Sequence, residues 1–66
     1  MKQPRYAKLL IRNNMCYPVV NIHFETGQVT LKESEKVFNT VNIKNVEFDF
    51  SDYTNEEKVD FCKKIK

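Results

Sequence analysis

Val46, Phe48 and Phe50 alternate with Glu47, Asp49 and Ser51. A strand turns successive side chains to opposite faces, so this stretch carries one oily face and one acidic face. The same period of two governs most of the chain before it. Arg5–Arg12 and Met15–Glu25 are rich in β-branched and aromatic residues, and Asn13-Asn14 between them suits a two-residue turn because Asn tolerates positive φ. That turn pairs Arg12 with Met15, Leu10 with Tyr17 and Lys8 with Val19. It gathers Ala7, Leu9, Ile11, Val20, Ile22 and Phe24 on the core side. A competing reading makes residues 4–12 a short helix, with Pro4 in its first turn and Tyr6, Leu9 and Leu10 as its stripe.

The only glycine, Gly27, falls in the next turn, Glu25–Gln28, where a positive φ is needed. Val29 and Leu31 then point inward while Thr30 and Lys32 point out. Lys32–Lys36 reads as a loop and Val37–Ile43 as a weaker strand, its alternation blurred by Phe38 and Asn39. A two-residue hairpin or a bulge at Lys44-Asn45 would reconcile the phase of Ile43 with that of Val46. Thr54 with Glu57 three residues on forms a capping box, which starts a helix whose stripe is Val59, Phe61, Cys62 and Ile65. Lys63, Lys64 and Lys66 at its end complement the helix dipole.

These elements predict one domain over residues 1–66, α+β but mostly β: a small antiparallel meander or partly open barrel of four to five strands, closed or covered by one C-terminal helix. A chain of this length buries only about 60% of the surface its unfolded form exposes, so neither layer buries its oily face alone. Apolar and charged fractions of 41% and 30% are those of a globular protein. The longest apolar run, Leu9-Leu10-Ile11, is far too short for a signal-peptide core or a membrane span. Two cysteines without CxxC spacing indicate reduced thiols in a cytoplasmic setting.

Chemistry is sparse. His23, Cys16 and Cys62 are the only soft metal ligands and do not form a motif. Cys16 and His23 sit an odd number of residues apart on one strand, so they face apart and cannot pair as nucleophile and base. Cys62 falls in the helix stripe and Cys16 on an inward face, where thiols are inert. No Gly-rich loop is present to cradle phosphate. The reading is therefore non-enzymatic, with no metal and no cofactor.

One surface stands out. The outer side of the first hairpin carries Tyr6, Lys8, Leu10 and Arg12 opposite Met15, Tyr17, Val19, Asn21 and His23. The first 24 residues hold Lys2, Arg5, Lys8 and Arg12 and no acid, while residues 25–57 are predominantly acidic. Three readings fit this face: the C-terminal helix covers it; it docks a protein that presents an acidic patch; or its aromatics stack on nucleic-acid bases. The second assigns partner binding to Tyr6, Lys8, Leu10, Arg12, Tyr17, Val19 and His23.

Asn14-Met15-Cys16-Tyr17-Pro18-Val19, Ile22-His23-Phe24-Glu25 and Gly27-Gln28-Val29-Thr30-Leu31 resemble the opening of YopX-like proteins of Gram-positive phages. Val46-Glu47-Phe48 and Tyr53-Thr54 are similar to the segment with which that opening ends, although Asn55 stands where the family has Gly. The resemblance implies a phage or mobile-element accessory protein in the cytoplasm of an infected bacterium. The function expected is binding and inhibition of a host or defence protein by occlusion. The alternatives are a small nucleic-acid-binding barrel and a structural or self-assembling phage component.

Overall fold

The structure, a computed structural model, describes residues 3–12 and 14–65. In chain order it contains strands β1 (Tyr6–Leu9), β2 (Cys16–His23), β3 (Gln28–Lys32) and β4 (Phe38–Asn42), a 3-10 turn (Ile43–Asn45), strand β5 (Val46–Phe48) and helix α1 (Asn55–Lys64). The strands form one antiparallel sheet in the order β4-β3-β2-β1-β5. The expected mostly-β architecture with a C-terminal helix is thus what the chain forms. The sheet is open, and among the described residues no ladder joins β4 to β5. Residues 4–12 hold β1, not the alternative helix.

The first hairpin differs from expectation in register. Tyr6 faces Pro18, Ala7 faces Tyr17 and Lys8 faces Cys16, three residues away from the pairing a two-residue turn would set. The connection is a longer loop, closed by the Leu9 N–H donating to the Met15 carbonyl at 3.0 Å and the Asn14 N–H to the Leu9 carbonyl at 3.1 Å. Asn14 takes the positive φ, 56°, as Asn residues do in such corners. Asn13, the other half of the expected turn, lies outside the described residues, as do Lys2 and Lys66. A slip by an odd number reverses the faces of one strand relative to the other. Tyr17 and Val19 therefore pack against the core beside Ala7 and Leu9. Ile11, expected inside, sits in the loop and is 63% exposed.

β2 contains two phases. Its pairing with β3 shifts between Val19 and Asn21, so Val20 is the extra residue of a bulge and turns outward, 47% exposed, against expectation. Beyond the bulge Ile22 is buried, and Phe24 packs on the core in the phase the alternation predicted. The strand also changes partner: Cys16–Pro18 pair with β1, Val19–His23 with β3. The Val19 N–H donates to the Arg5 carbonyl at 2.9 Å, so by ladder alternation the nitrogen of Pro18 points away from β1. It points to the side where pairing with β3 begins only at Val19. A central strand accommodates this proline because its missing N–H falls at the hand-over.

The connection from β4 to β5 shows how strongly the sheet curls. These strands lie on opposite edges, and in a flat sheet they would be about 19 Å apart. Asn42 and Val46 are separated by only the three residues of the 3-10 turn, a reach of about 14 Å fully extended. The Ile43 N–H donates to the Gly27 carbonyl at 2.9 Å, and the Asn45 carbonyl accepts from the Leu10 N–H at 2.9 Å. The turn thus ties the end of β4 to the far end of β1, in place of the expected hairpin or bulge at Lys44-Asn45. Asn42 caps it, its side-chain oxygen accepting from the Lys44 N–H at 2.9 Å. Gly27, at φ 71°, makes the β2–β3 turn as expected.

The curled sheet encloses Ala7, Leu9, Ile22, Val29, Leu31, Ile43, Val46 and Phe48. Helix α1 closes one end chiefly with Phe61, while Ile65 at its C-cap packs partly buried against the core. Phe61 is wholly buried, edge-on to Phe48 at 5.2 Å, Phe50 at 5.5 Å, Phe24 at 6.0 Å and Tyr53 at 6.3 Å between ring centroids. Burial, and then the Glu57 carboxylate, raise the pKa of the Tyr53 phenol, so this ring stays neutral in its aromatic surroundings. The capping box forms as expected, with Glu57 N–H to Thr54 Oγ1 at 3.2 Å and Thr54 N–H to Glu57 Oε1 at 2.9 Å. The expected stripe is narrower, because Val59 is 52% exposed.

Phe61→Ala should cost about 3–5 kcal/mol, a large share of the roughly 5–15 kcal/mol that holds small domains together. The melting temperature should fall by at least roughly 10 °C. Val59→Ala should change stability by less than about 0.5 kcal/mol. Thermal denaturation of the two variants tests whether α1 is anchored by one ring or by a broad stripe.

Candidate docking surface

The seven residues expected to share one face are divided by the observed register. Tyr6 and Lys8 lie on the outer face of β1, beside Cys16 and Pro18 of β2, with Glu47 of β5 opposite Lys8. Tyr17 and Val19 lie on the inner face, half-buried against the core. His23 is at the far end of β2, on the outer side, where its Nε2 lies 3.1 Å from Thr30 Oγ1. The Thr30 hydroxyl is in turn 2.8 Å from that of Thr40. Leu10 and Arg12 belong to the β1–β2 loop. The helix does not cover the outer face of the hairpin, since its buried ring points into the aromatic cluster.

The acid-free character of the first 24 residues does not survive folding. Arg12 forms an ion pair with Glu33, whose side chain is only 15% exposed. Arg5 lies 3.7 Å from Asp52, and Lys8 faces Glu47 across the β1–β5 ladder. Arg5 and Arg12 thus meet carboxylates from the later, acidic part of the chain, and Lys8 has Glu47 as its neighbour on the next strand. The outer face of the hairpin is therefore mixed in charge, not a basic platform.

The thiols also separate. Cys16, expected inside, is exposed on the outer face, because the register places it opposite Lys8. It borders an open cleft with Lys8, Glu47 and Lys58. His23, the only imidazole, shares the outer face with Cys16, against expectation, because the bulge at Val20 shifts the phase of β2. It lies on the other half of the strand and is engaged with Thr30. Cys62 is half-buried on α1. Among the described residues no cluster of His, Cys, Asp or Glu is arranged to hold a metal ion, and no helix is long and apolar enough to cross a membrane.

A different surface emerges from the fold. β1 ends, β2 begins, β3 ends and β4 begins at the same end of the sheet, opposite the end that α1 closes. The two connecting loops there are joined by the Arg12–Glu33 ion pair. This end displays Ile11 at 63% exposure, Met15 at 54% and Leu10 at 43%, with Val37 and Phe38 exposed beside the second loop. The signal was present in the sequence. Leu9-Leu10-Ile11 breaks the period of two, and three consecutive apolar residues cannot all face one core.

Comparison of the chain with family models, with curated proteins and with solved structures finds no match.

The exposure of the two thiols gives a direct test of the register. In the native protein Cys16 should react with a small polar maleimide at near the rate of a free thiol, and Cys62 more slowly. The register of the two-residue turn would place Cys16 on the core side and protect it. Peptide mapping after brief labelling distinguishes the two.

Proposed function

We propose that this chain is a non-enzymatic binding protein that acts by stoichiometric occlusion, docking the loop-bearing end of its sheet on another protein. The observation that carries this reading is the group of large apolar side chains displayed at that end, on loops clasped by Arg12 and Glu33. Contiguous exposed apolar residues on a small domain mark interaction sites more often than solvated surface does. An ion pair whose arginine is exposed holds a loop only weakly, so the pair marks where the two loops meet and the apolar side chains carry the affinity.

The compensated charges favour a protein over a nucleic acid as target, since phosphate binding relies on uncompensated Lys and Arg. The resemblance to YopX-like phage proteins bears on origin alone, and a bacterial host or defence protein is the target class we propose for a chain of that origin. Of the residues first considered for the site, Leu10 and Arg12 stay within it, the first as a contact and the second as the clasp. Tyr6, Lys8 and His23 lie away from it, and Tyr17 and Val19 hold the hairpin on the core.

Ile11→Glu places a charge at the centre of the apolar end without touching the core. It should weaken target binding by at least about tenfold, equivalent to about 1.4 kcal/mol, and leave the melting temperature unchanged. Affinity capture from bacterial lysate with the wild type and this variant side by side, with and without nuclease, tests the reading. Its support is a polypeptide retained by the wild type, lost with Ile11→Glu and indifferent to nuclease. Capture abolished by nuclease, or equal with both proteins, overturns it.

A further inference from the structure

β4 is an open edge of the sheet. The Glu33 N–H donates to the Val37 carbonyl at 2.8 Å, and the Ile43 N–H to the Gly27 carbonyl at 2.9 Å. In an antiparallel ladder, residues alternate between those that turn N–H and C=O toward the neighbour and those that turn them away. Val37, Asn39, Val41 and Ile43 therefore address β3. Phe38, Thr40 and Asn42 direct both backbone groups to the outside, where among the described residues no strand receives them.

Natural edges are blunted by charges, prolines or bulges. β4 has none of these. Val37–Ile43 reads Val-Phe-Asn-Thr-Val-Asn-Ile, without charge, Gly or Pro, its ladder with β3 is regular over all five residues, and Phe38 is 56% exposed. The other edge is guarded: β5 is three residues long and carries Glu47, and of its outward groups the Val46 N–H is already given to the Ile43 carbonyl, which leaves Phe48 and the Val46 carbonyl.

We infer that β4 pairs with β4 of a second copy of this chain, antiparallel, about a two-fold axis at Thr40. The edge is self-complementary in this register. Thr40 faces Thr40 of the second copy and Phe38 faces its Asn42, so all three outward-pointing residues on each side find hydrogen-bonding partners. Two-fold pairing uses the same strand on both copies and closes on itself, which a β4–β5 contact would not do. The contact is one strand wide, below the area of a standard stable interface, so association is weak and follows concentration. Lys36 and Lys44 flank the segment, and the two-fold brings Lys36 of one copy to the same end as Lys44 of the other. Added salt should therefore strengthen the dimer.

The test is sedimentation equilibrium together with residue-resolved amide exchange on the full chain, from dilute to near-millimolar solution. The expected result is a monomer–dimer equilibrium in which the amides of Phe38, Thr40 and Asn42 slow by at least about tenfold on concentration. Those of Asn39 and Val41 should stay protected throughout. Phe38→Lys should abolish the dimer. Thr40→Pro should do the same while keeping the fold, because the N–H it removes faces outward. Phe38 borders both surfaces, so the pair of variants that separates them is Ile11→Glu, which should leave the dimer intact, and Thr40→Pro, which should leave target capture intact. A chain that stays monomeric at every concentration, open-ended polymers, or a dimer whose Phe38, Thr40 and Asn42 amides exchange as fast as in the monomer would each overturn the inference.

Discussion

The fold depends on the change of partner halfway along β2. Its first half is bonded to β1 and its second to β3, with Pro18 at the hand-over and the Val20 bulge just after it. A bulge sharpens the local twist and bends the strand that carries it. Because this strand belongs to both halves of the sheet, its bend folds one half over the other, and the 3-10 turn can then cross between edges that a flat sheet would hold too far apart. Only in the folded arrangement do Leu9 and Val46 from one half come to share a core with Val29 and Leu31 from the other.

Curling also solves a problem of size. A flat five-stranded sheet needs a second layer across its whole inner face, and one helix of ten residues cannot supply it. Folded on itself, the sheet supplies most of its own cover and leaves only its ends. One fully buried ring on α1, with Ile65 beside it, closes one end, because Phe61 enters a site already walled by Phe24, Phe48, Phe50 and Tyr53. Aromatic rings suit this role, since edge-to-face contacts of large side chains recover much buried area from few residues.

What was legible in the sequence is what is decided locally. Gly27 needs its positive φ wherever it sits in that turn, Thr54 and Glu57 cap each other across three residues, and Val46–Phe50 alternates without interruption. What was not legible depends on distant partners. The length of the β1–β2 loop is set by which register buries Tyr17 and Val19, and two adjacent asparagines cannot report that. The adjacent valines, Val19-Val20, were the visible mark of the bulge, a single break in an otherwise regular period. Charge misled for the same reason. A segment without acids in sequence acquires Glu33, Glu47 and Asp52 as neighbours from elsewhere in the chain, so the candidate site moved from a basic face to an apolar end.

The two ends of the curled sheet are closed differently, and this asymmetry connects the fold to its proposed role. A helix brings a side chain in from outside and keeps its own polar face to water. A loop that covers a core end must do so with residues from a chain that has just left the sheet, and only some of them can point inward. Here Leu9, the last residue of β1, points inward, while Leu10 and Ile11, the first residues of the loop, face solvent. The exposure thus follows from leaving this end to loops, which the Arg12–Glu33 pair links without covering. A partner seated there would do for the loop end what α1 does for the other, covering apolar surface that the described residues leave exposed.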